Sequence, residues 1–350
     1  MKKTKRWLCL AIGLSMVAGL SFTSCKKDDI PAEEITVYMP DGAPALALAG
    51  LMSQDTLGDG VTYRVVNAAQ IAATTTNADR EKNADLCVMP INAAAKLHGE
   101  SGEYTMLGAV THGNLYMIEV LTANDVVPPE PIFEGYTAEN LSTLIGKKVG
   151  VLQINNVPGL TFKAVLNKHG IPWQEMTSAG SVAVDKVNLV ALTDASAVTS
   201  VSAKCFVIAE PAATAQAKNN FSIVGDLQSL YGGENGYPQA VLLAKTELVE
   251  SKSAWLKEFA VKVQESAVWL ASASGNEVVA AVNAHMADAD MTTSLKAPLL
   301  TADVLGRCGV RFAYAGDIKD EATAFLEDLI TVNAQATKLP TEAFFWAYTP

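Results

Sequence analysis

The spacing of apolar positions changes repeatedly along the chain, and each change marks an element. Residues 35–39 (ITVYM) alternate as a half-buried strand does and run into the turn-rich segment Pro40-Asp41-Gly42-Ala43-Pro44. The stretch 45–52 (ALALAGLM) is then built from helix formers. A strand at 63–66 and a helix over 70–83 are expected next, followed by a strand at 85–89 that stops at Pro90 and leads into the Ala-rich stretch 92–97. Strand alternating with helix predicts crossover units and parallel pairing. Residues 104–120 read as two strands broken at Thr111-His112-Gly113-Asn114, and a Pro-rich stretch at 127–131 and a segment at 138–144 follow. The strand-turn-helix plan then returns, with a strand at 147–152, a turn at 153–159 and a helix at 160–169, and Gly170 sits where a left-handed cap belongs. Strands at 187–190 and 205–209 precede a loop marked by Gly232, Gly233 and Gly236, and another strand lies at 240–243. From Glu247 on the pattern is mostly helical, with Trp255, Phe259, Val263 and Ala267 spaced by four on one face.

Two similar α/β units followed by a helical C-terminal part predict two lobes, each a mostly parallel sheet flanked by helices. The length of 350 residues also exceeds what one core organises comfortably. Crossings at 111–114 and 232–236 would make 35–113 with 238–350 the first lobe, and 114–237 the second.

Composition narrows the class. Apolar residues make up 49% and charged residues 18%, a globular balance, and the formal net charge is -11. An acidic chain lacks the basic footprint that a nucleic-acid or anionic-membrane partner requires. The N-terminus departs from the rest: Lys2, Lys3, Lys5 and Arg6 precede an apolar run at 7–20, too short for a mature membrane span but suited to a signal segment. Thr23 and Ser24 then precede Cys25, and Lys26-Lys27-Asp28-Asp29 follows. This arrangement resembles a bacterial lipobox, with Phe22 where Leu is usual, and implies that Cys25 becomes the lipidated first residue after removal of 1–24. Ordinary cleavage with Cys25 incidental is the alternative, and either outcome exports the protein. Residues 25–34 would then be a polar tether, and any membrane contact would pass through the lipid. Cys87, Cys205 and Cys308 match no zinc or redox spacing and read as small core residues.

Ligands of parallel α/β sheets bind beyond the carboxyl ends of the strands, at helix N-termini. Two loops match in kind. In one, Asp41 can cap, Gly42 lets a ligand approach the backbone, Ala43 opens the helix and Pro44 suits its first turn. In the other, Gln153 begins the turn, Asn155 or Asn156 can cap, and Pro158 and Gly159 repeat the Pro-Gly chemistry, with Thr161 one turn in. Unpaired N–H groups at two such ends would grip a polar or anionic group. Asp41 would repel a bare anion there, however, and favours a ligand with donor groups. Glu210 ends the strand at 205–209 and precedes Pro211, so it can receive an amine or close an ion pair between lobes. Asn92, His112 and Asn114 lie at strand ends or crossings, and Tyr38 can stack a ring. Enzyme signatures are missing: there is no Gly-x-Ser-x-Gly, His-Glu-x-x-His, Walker or Gly-x-Gly-x-x-Gly pattern, and His98, His112, His169 and His285 have no metal spacing. No catalysis, metal or cofactor is implied.

With these residues in view, 38–49 (YMPDGAPALALA) resembles the opening of type-2 periplasmic binding proteins of bacterial ABC importers, in the branch of thiamine-pyrimidine-precursor, sulfonate, taurine and nitrate binders. Residues 146–151 (GKKVGV) with 157–162 (VPGLTF) look like the matching second-lobe loop. Residues 209–214 (AEPAAT) and 339–345 (LPTEAFF) also resemble members of the branch. The resemblance implies a two-lobe clamshell with Asp41 to Ala45, Pro90 to Asn92, Thr111 to Asn114, Gln153 to Thr161 and Glu210 along its cleft. It also implies an ABC permease and ATPase as partners. A heterocyclic metabolite with amine donors is the expected ligand class, with sulfonates and related oxyanions second. A sensory lipoprotein or an exported enzyme on the same fold remain the alternatives.

Overall fold

The computed structural model describes residues 34–54, 60–121, 135–177, 180–233 and 236–350. The expected signal segment, Cys25, the tether up to residue 33 and the Pro-rich stretch lie outside the described residues. Twelve strands are present among the described residues. They are β1 (Ile35–Pro40), β2 (Val61–Val66), β3 (Leu86–Pro90), β4 (Tyr104–His112), β5 (Leu115–Val120) and β6 (Lys148–Leu152), then β7 (Trp173–Glu175), β8 (Val187–Leu192), β9 (Cys205–Ala209), β10 (Phe221–Asp226), β11 (Pro238–Lys245) and β12 (Val310–Tyr314). They form two six-stranded sheets, ordered β12-β4-β11-β3-β1-β2 and β10-β5-β9-β6-β8-β7. The chain passes from the first sheet to the second between β4 and β5, and returns between β10 and β11.

Most strands of each sheet run in one direction, with antiparallel neighbours at a few places. β1 pairs parallel with β2 and β3, and β6, β7, β8 and β9 pair parallel with one another where they adjoin. The antiparallel pairs all involve strands next to the crossings: β11 with β3 and β4, β12 with β4, and β5 with β9 and β10. The reason is directional. Strands that deliver loops to the space between the sheets run toward the crossings, whereas β5 and β11 have just passed them and run away.

Among the helices that start where a strand ends are α1 (Ala43–Gln54) after β1, α2 (Ile91–Ser101) after β3, α3 (Val157–Lys168) after β6 and α4 (Ala212–Ala217) after β9. α1 is apolar nearly all round, as a helix enclosed on every side must be, and packs against the helices Ser253–Leu270 and Gly275–Ala284. Gly50 permits that approach: a Cβ there would lie 2.9 Å from the Ser266 backbone, and the Ser266 hydroxyl accepts the Gly50 N–H at 2.9 Å. Trp255, Phe259 and Val263 line the buried face of the longer helix, as their spacing predicts. Cys87, Cys205 and Cys308 are free and buried.

The expected helix over 70–83 is replaced by two short 3-10 turns, Ala68–Thr74 and Arg80–Lys82. Asn67 and Gln70 cap the first reciprocally. The hydroxyls of Thr74, Thr75 and Thr76 then donate back to the carbonyls of Ile71 and Ala72, competing with further helix formation.

The crossings are built tightly. Gly113, Gly236 and Gly309 have φ of 69°, 69° and 63°, and a Cβ on Gly309 would lie 2.2 Å from the Gly113 carbonyl oxygen. The Gln228 carboxamide oxygen accepts from Leu115 N–H and from the Tyr237 hydroxyl, each at 3.0 Å, and so ties the outgoing and returning segments together. His112 is buried among them, 3% exposed, with neither ring nitrogen hydrogen-bonded among the described residues. Burial, and then the charge of Arg311, lowers its pKa from 6.5 to about 3.

A sign follows for acid stability. Between pH 6.5 and about 3 the unfolded chain binds a proton at His112 that the folded chain refuses, so stability is full above that window and falls as pH drops through it. The expected loss from this group at pH 5 is about 2 kcal/mol. Urea unfolding at pH 7 and pH 5 should show that much less acid sensitivity in His112→Phe than in the parent chain. Equal sensitivity in both would exclude His112 as the source.

Candidate functional site

A cavity of about 440 Å³ lies between the two sheets, walled by the loops at the carboxyl ends of their strands. Asp41, Gly42, Ala43 and Pro44 line one side at the start of α1, and Gln153, Asn156 and Pro158 line the other at the start of α3. Asn114 and Glu210 lie on the same wall as the first crossing. The two loops singled out by their sequence are therefore brought face to face across one space.

Tyr38, Asn92, His112, Gly159 and Thr161 do not line it. Tyr38 packs partly buried against the core of its own sheet. Asn92 turns to the C-terminal segment, donating to the Ala336 carbonyl at 3.1 Å while its own carbonyl accepts the Thr337 hydroxyl at 3.0 Å. His112 is the buried crossing residue described above. Gly159 serves packing, because a Cβ there would lie 2.2 Å from the Ile154 carbonyl oxygen. Thr161 is fully buried in α3.

The two cavity carboxylates are already occupied. Asp41 accepts from its neighbour Gly42 N–H at 2.9 Å, from Ser294 N–H at 2.7 Å and from the Thr293 hydroxyl. It makes no hydrogen bond to an N–H of α1, so the expected cap is not formed, and it instead pins the loop around 293–296 to the rim. Glu210, whose side chain is 0% exposed, accepts from Arg307 Nε at 2.7 Å. It also accepts from the Thr214 hydroxyl at 2.8 Å and from Thr214 N–H at 3.0 Å. Of the two roles its position allowed, Glu210 adopts the ion pair, and it joins the second sheet's β9 end to the helix Ala302–Arg307 that precedes β12 of the first. Asn114 is similarly engaged. Its amide exchanges hydrogen bonds with Gln239, whose Nε2 donates to Asn114 Oδ1 at 2.7 Å and whose Oε1 accepts from Asn114 N–H at 3.1 Å. Asn114 Nδ2 donates to the Glu210 carbonyl at 3.2 Å. It braces the crossing.

What stays free is mostly donor. Among the described residues, Lys296 is the only basic residue on the cavity wall, and it has no ion-pair or hydrogen-bond partner. The side chains of Gln153 and Asn156 are likewise uncommitted, and Asn156 makes no cap bond to α3. α2 also starts without a side-chain cap, behind Pro90. Ile71, Met89, Leu152 and Leu299 give the rest of the wall an apolar character. Lys296 and the Ala68–Thr74 turn carried no local signal: Lys296 lies far along the chain from Asp41, on a loop that Asp41 and Asn283 both hold.

No protein-family model matches the chain, and no curated protein matches it. Its fold is that of the two-lobe periplasmic binding proteins. An ABC transporter structure from Parabacteroides distasonis superimposes with a TM-score of 0.64 at 17% identity, covering 89% of this chain and 98% of that one. The periplasmic aliphatic sulphonate binding protein SsuA of Escherichia coli gives 0.64 at 14% identity, covering 91% and 94%. The alkanesulfonate-binding protein SsuA of Xanthomonas axonopodis pv. citri, bound to MOPS, gives 0.58 at 12% identity, covering 89% and 99%.

Removing Arg307 would leave the Glu210 carboxylate buried without its counter-ion. Arg307→Met should destabilise the chain by about 3 kcal/mol, the low end for a broken buried pair, because Arg307 is itself 34% exposed. Adding Glu210→Gln should recover part of that loss in urea unfolding. A single variant as stable as the parent would show that the pair contributes nothing net.

Proposed function

We propose that this chain is the extracytoplasmic solute-binding component of an ABC importer. On this reading it is exported by its N-terminal signal, anchored through lipidated Cys25, and binds its solute without chemical change. One observation carries the reading: a cavity is enclosed by the strand-end loops of two sheets between which the described chain crosses at two adjacent places. A molecule touching both walls favours the closed arrangement over an open one, and closure by hinge motion is the usual response of such a frame. The importer's permease and ATPase would then respond to the closed form.

The free groups favour an acceptor-rich ligand. Lys296 on one wall and the Gln153 and Asn156 amides on the other can donate, whereas both carboxylates are filled from within. This reverses the ranking drawn from sequence: an organic oxyanion of the sulfonate kind, with an apolar body against Ile71, Met89 and Leu299, now stands ahead of an amine-bearing heterocycle. Two structural neighbours bind sulfonates by their descriptions, which is consistent with that chemistry.

The test is calorimetry and thermal unfolding of the chain from Lys26 onward with alkanesulfonates, inorganic oxyanions, pyrimidines and other heterocyclic amines, and amino acids. An oxyanion at a hundredfold excess over its Kd should stabilise the fold by about 2.7 kcal/mol. Lys296→Glu, on an exposed side chain, should leave the free protein's stability unchanged and weaken that ligand about tenfold or more, some 1.4 kcal/mol. Saturable binding of an amine that is indifferent to Lys296→Glu would sink the oxyanion assignment. Recovery of a chemically altered compound would sink the binding-only role.

A further inference from the structure

The loop between β6 and α3 combines three features that packing alone does not require. Gln153 has φ of 44°, a left-handed conformation that a residue with a Cβ adopts only under constraint. The next carbonyl, that of Ile154, accepts a hydrogen bond at 2.8 Å from the ammonium of Lys163, which is 1% exposed. Gly159 lets the first turn of α3 press against the same peptide, since a Cβ there would lie 2.2–2.4 Å from the Ile154 backbone. The flanking bonds, Gln153 N–H to the Leu192 carbonyl at 2.9 Å and Asn156 N–H to the Gln153 carbonyl at 2.8 Å, close the loop.

Burying an ammonium is unfavourable, and an aliphatic residue would fill that face of α3 without the desolvation. Lys163 also pairs with Glu175 at 2.6 Å and lies 5.4 Å from the Trp173 ring centroid, but Glu175 is 45% exposed on a short strand and does not by itself account for a charge placed inside. The other partner of the ammonium is the carbonyl that directly follows the strained residue. That carbonyl belongs to the peptide between Ile154 and Asn155, so holding it fixes the stretch of backbone that joins Gln153 to Asn156 on the cavity wall.

We propose that Lys163 is a positioning residue: its buried ammonium holds the 153–156 loop in the left-handed geometry that presents Gln153 and Asn156 to the cavity. Its bearing on recognition rests on the cavity being the ligand site, but the experiment reads the loop directly, so failure of either reading is separable from failure of the other.

Thermal unfolding of four chains tests it: the parent, Gln153→Gly, Lys163→Met and the double variant. Glycine accepts the left-handed backbone freely, so Gln153→Gly should raise Tm, and the Tm loss caused by Lys163→Met should shrink to about half or less in the Gly background. Amide exchange over 153–157 should quicken about tenfold in Lys163→Met while exchange in β8 and α2 is unchanged. Equal Tm losses in both backgrounds, with unchanged exchange in the loop, would overturn the proposal and leave Lys163 as a core ion-pair residue. If Lys163→Met does not fold alone, folding of the double variant supports the assignment. Its failure to fold would overturn it, because Lys163 would then serve the core and not the loop.

Discussion

The antiparallel pairing of β4 with β11 is the constraint on which the rest of the molecule depends. One strand carries the chain out of the first sheet and the other brings it back, and because they are hydrogen-bonded neighbours both crossings must pass through the same small patch. A Cβ does not fit at three positions of that patch. Gly113, Gly236 and Gly309 meet with left-handed backbones, and Gln228 and Asn114 supply the hydrogen bonds that the crowded backbone would otherwise lack. With both crossings in one patch, the strand-end loops of the two sheets face each other across the cavity.

Inside the cleft, internal bonding decides what is left for a ligand. Asp41 and Glu210 are the residues that a reading by charge alone singles out, yet both spend their acceptor capacity on the protein. Asp41 fixes the rim loop that carries Lys296, and Glu210 fixes Arg307 at the end of the helix that leads into β12 of the opposite sheet. Among the described residues, the groups with spare capacity include Lys296, Gln153 and Asn156. The carboxylates set the shape of the site, and the uncommitted donors set its chemistry.

Much of this was legible beforehand. Alternation at 35–39 and 205–209, the helix formers at 45–52 and the turn chemistry of the two Pro-Gly loops are local, and the structure has β1, β9, α1 and α3 where they indicated. Both crossings were marked by glycine. The stretch 70–83 misled because its composition suits a helix while its consecutive threonines bond their own backbone instead. Asn92 and His112 stand at strand ends as ligand contacts do, but whether such a side chain turns toward the cavity or the core depends on what packs behind it. For Asn92 that is a segment about 245 positions later.

The sequence by itself determined the α/β class, the two units and the two loops that line the cavity, because each rests on periodicity or on chemistry within a few neighbouring residues. Only the tertiary structure decided the mixed direction of the sheets, the Glu210–Arg307 pair, the buried Lys163 beneath its loop and the arrival of Lys296 at the rim. Those outcomes depend on which distant segments compete for the same donors and acceptors, and that competition exists only once the chain has folded.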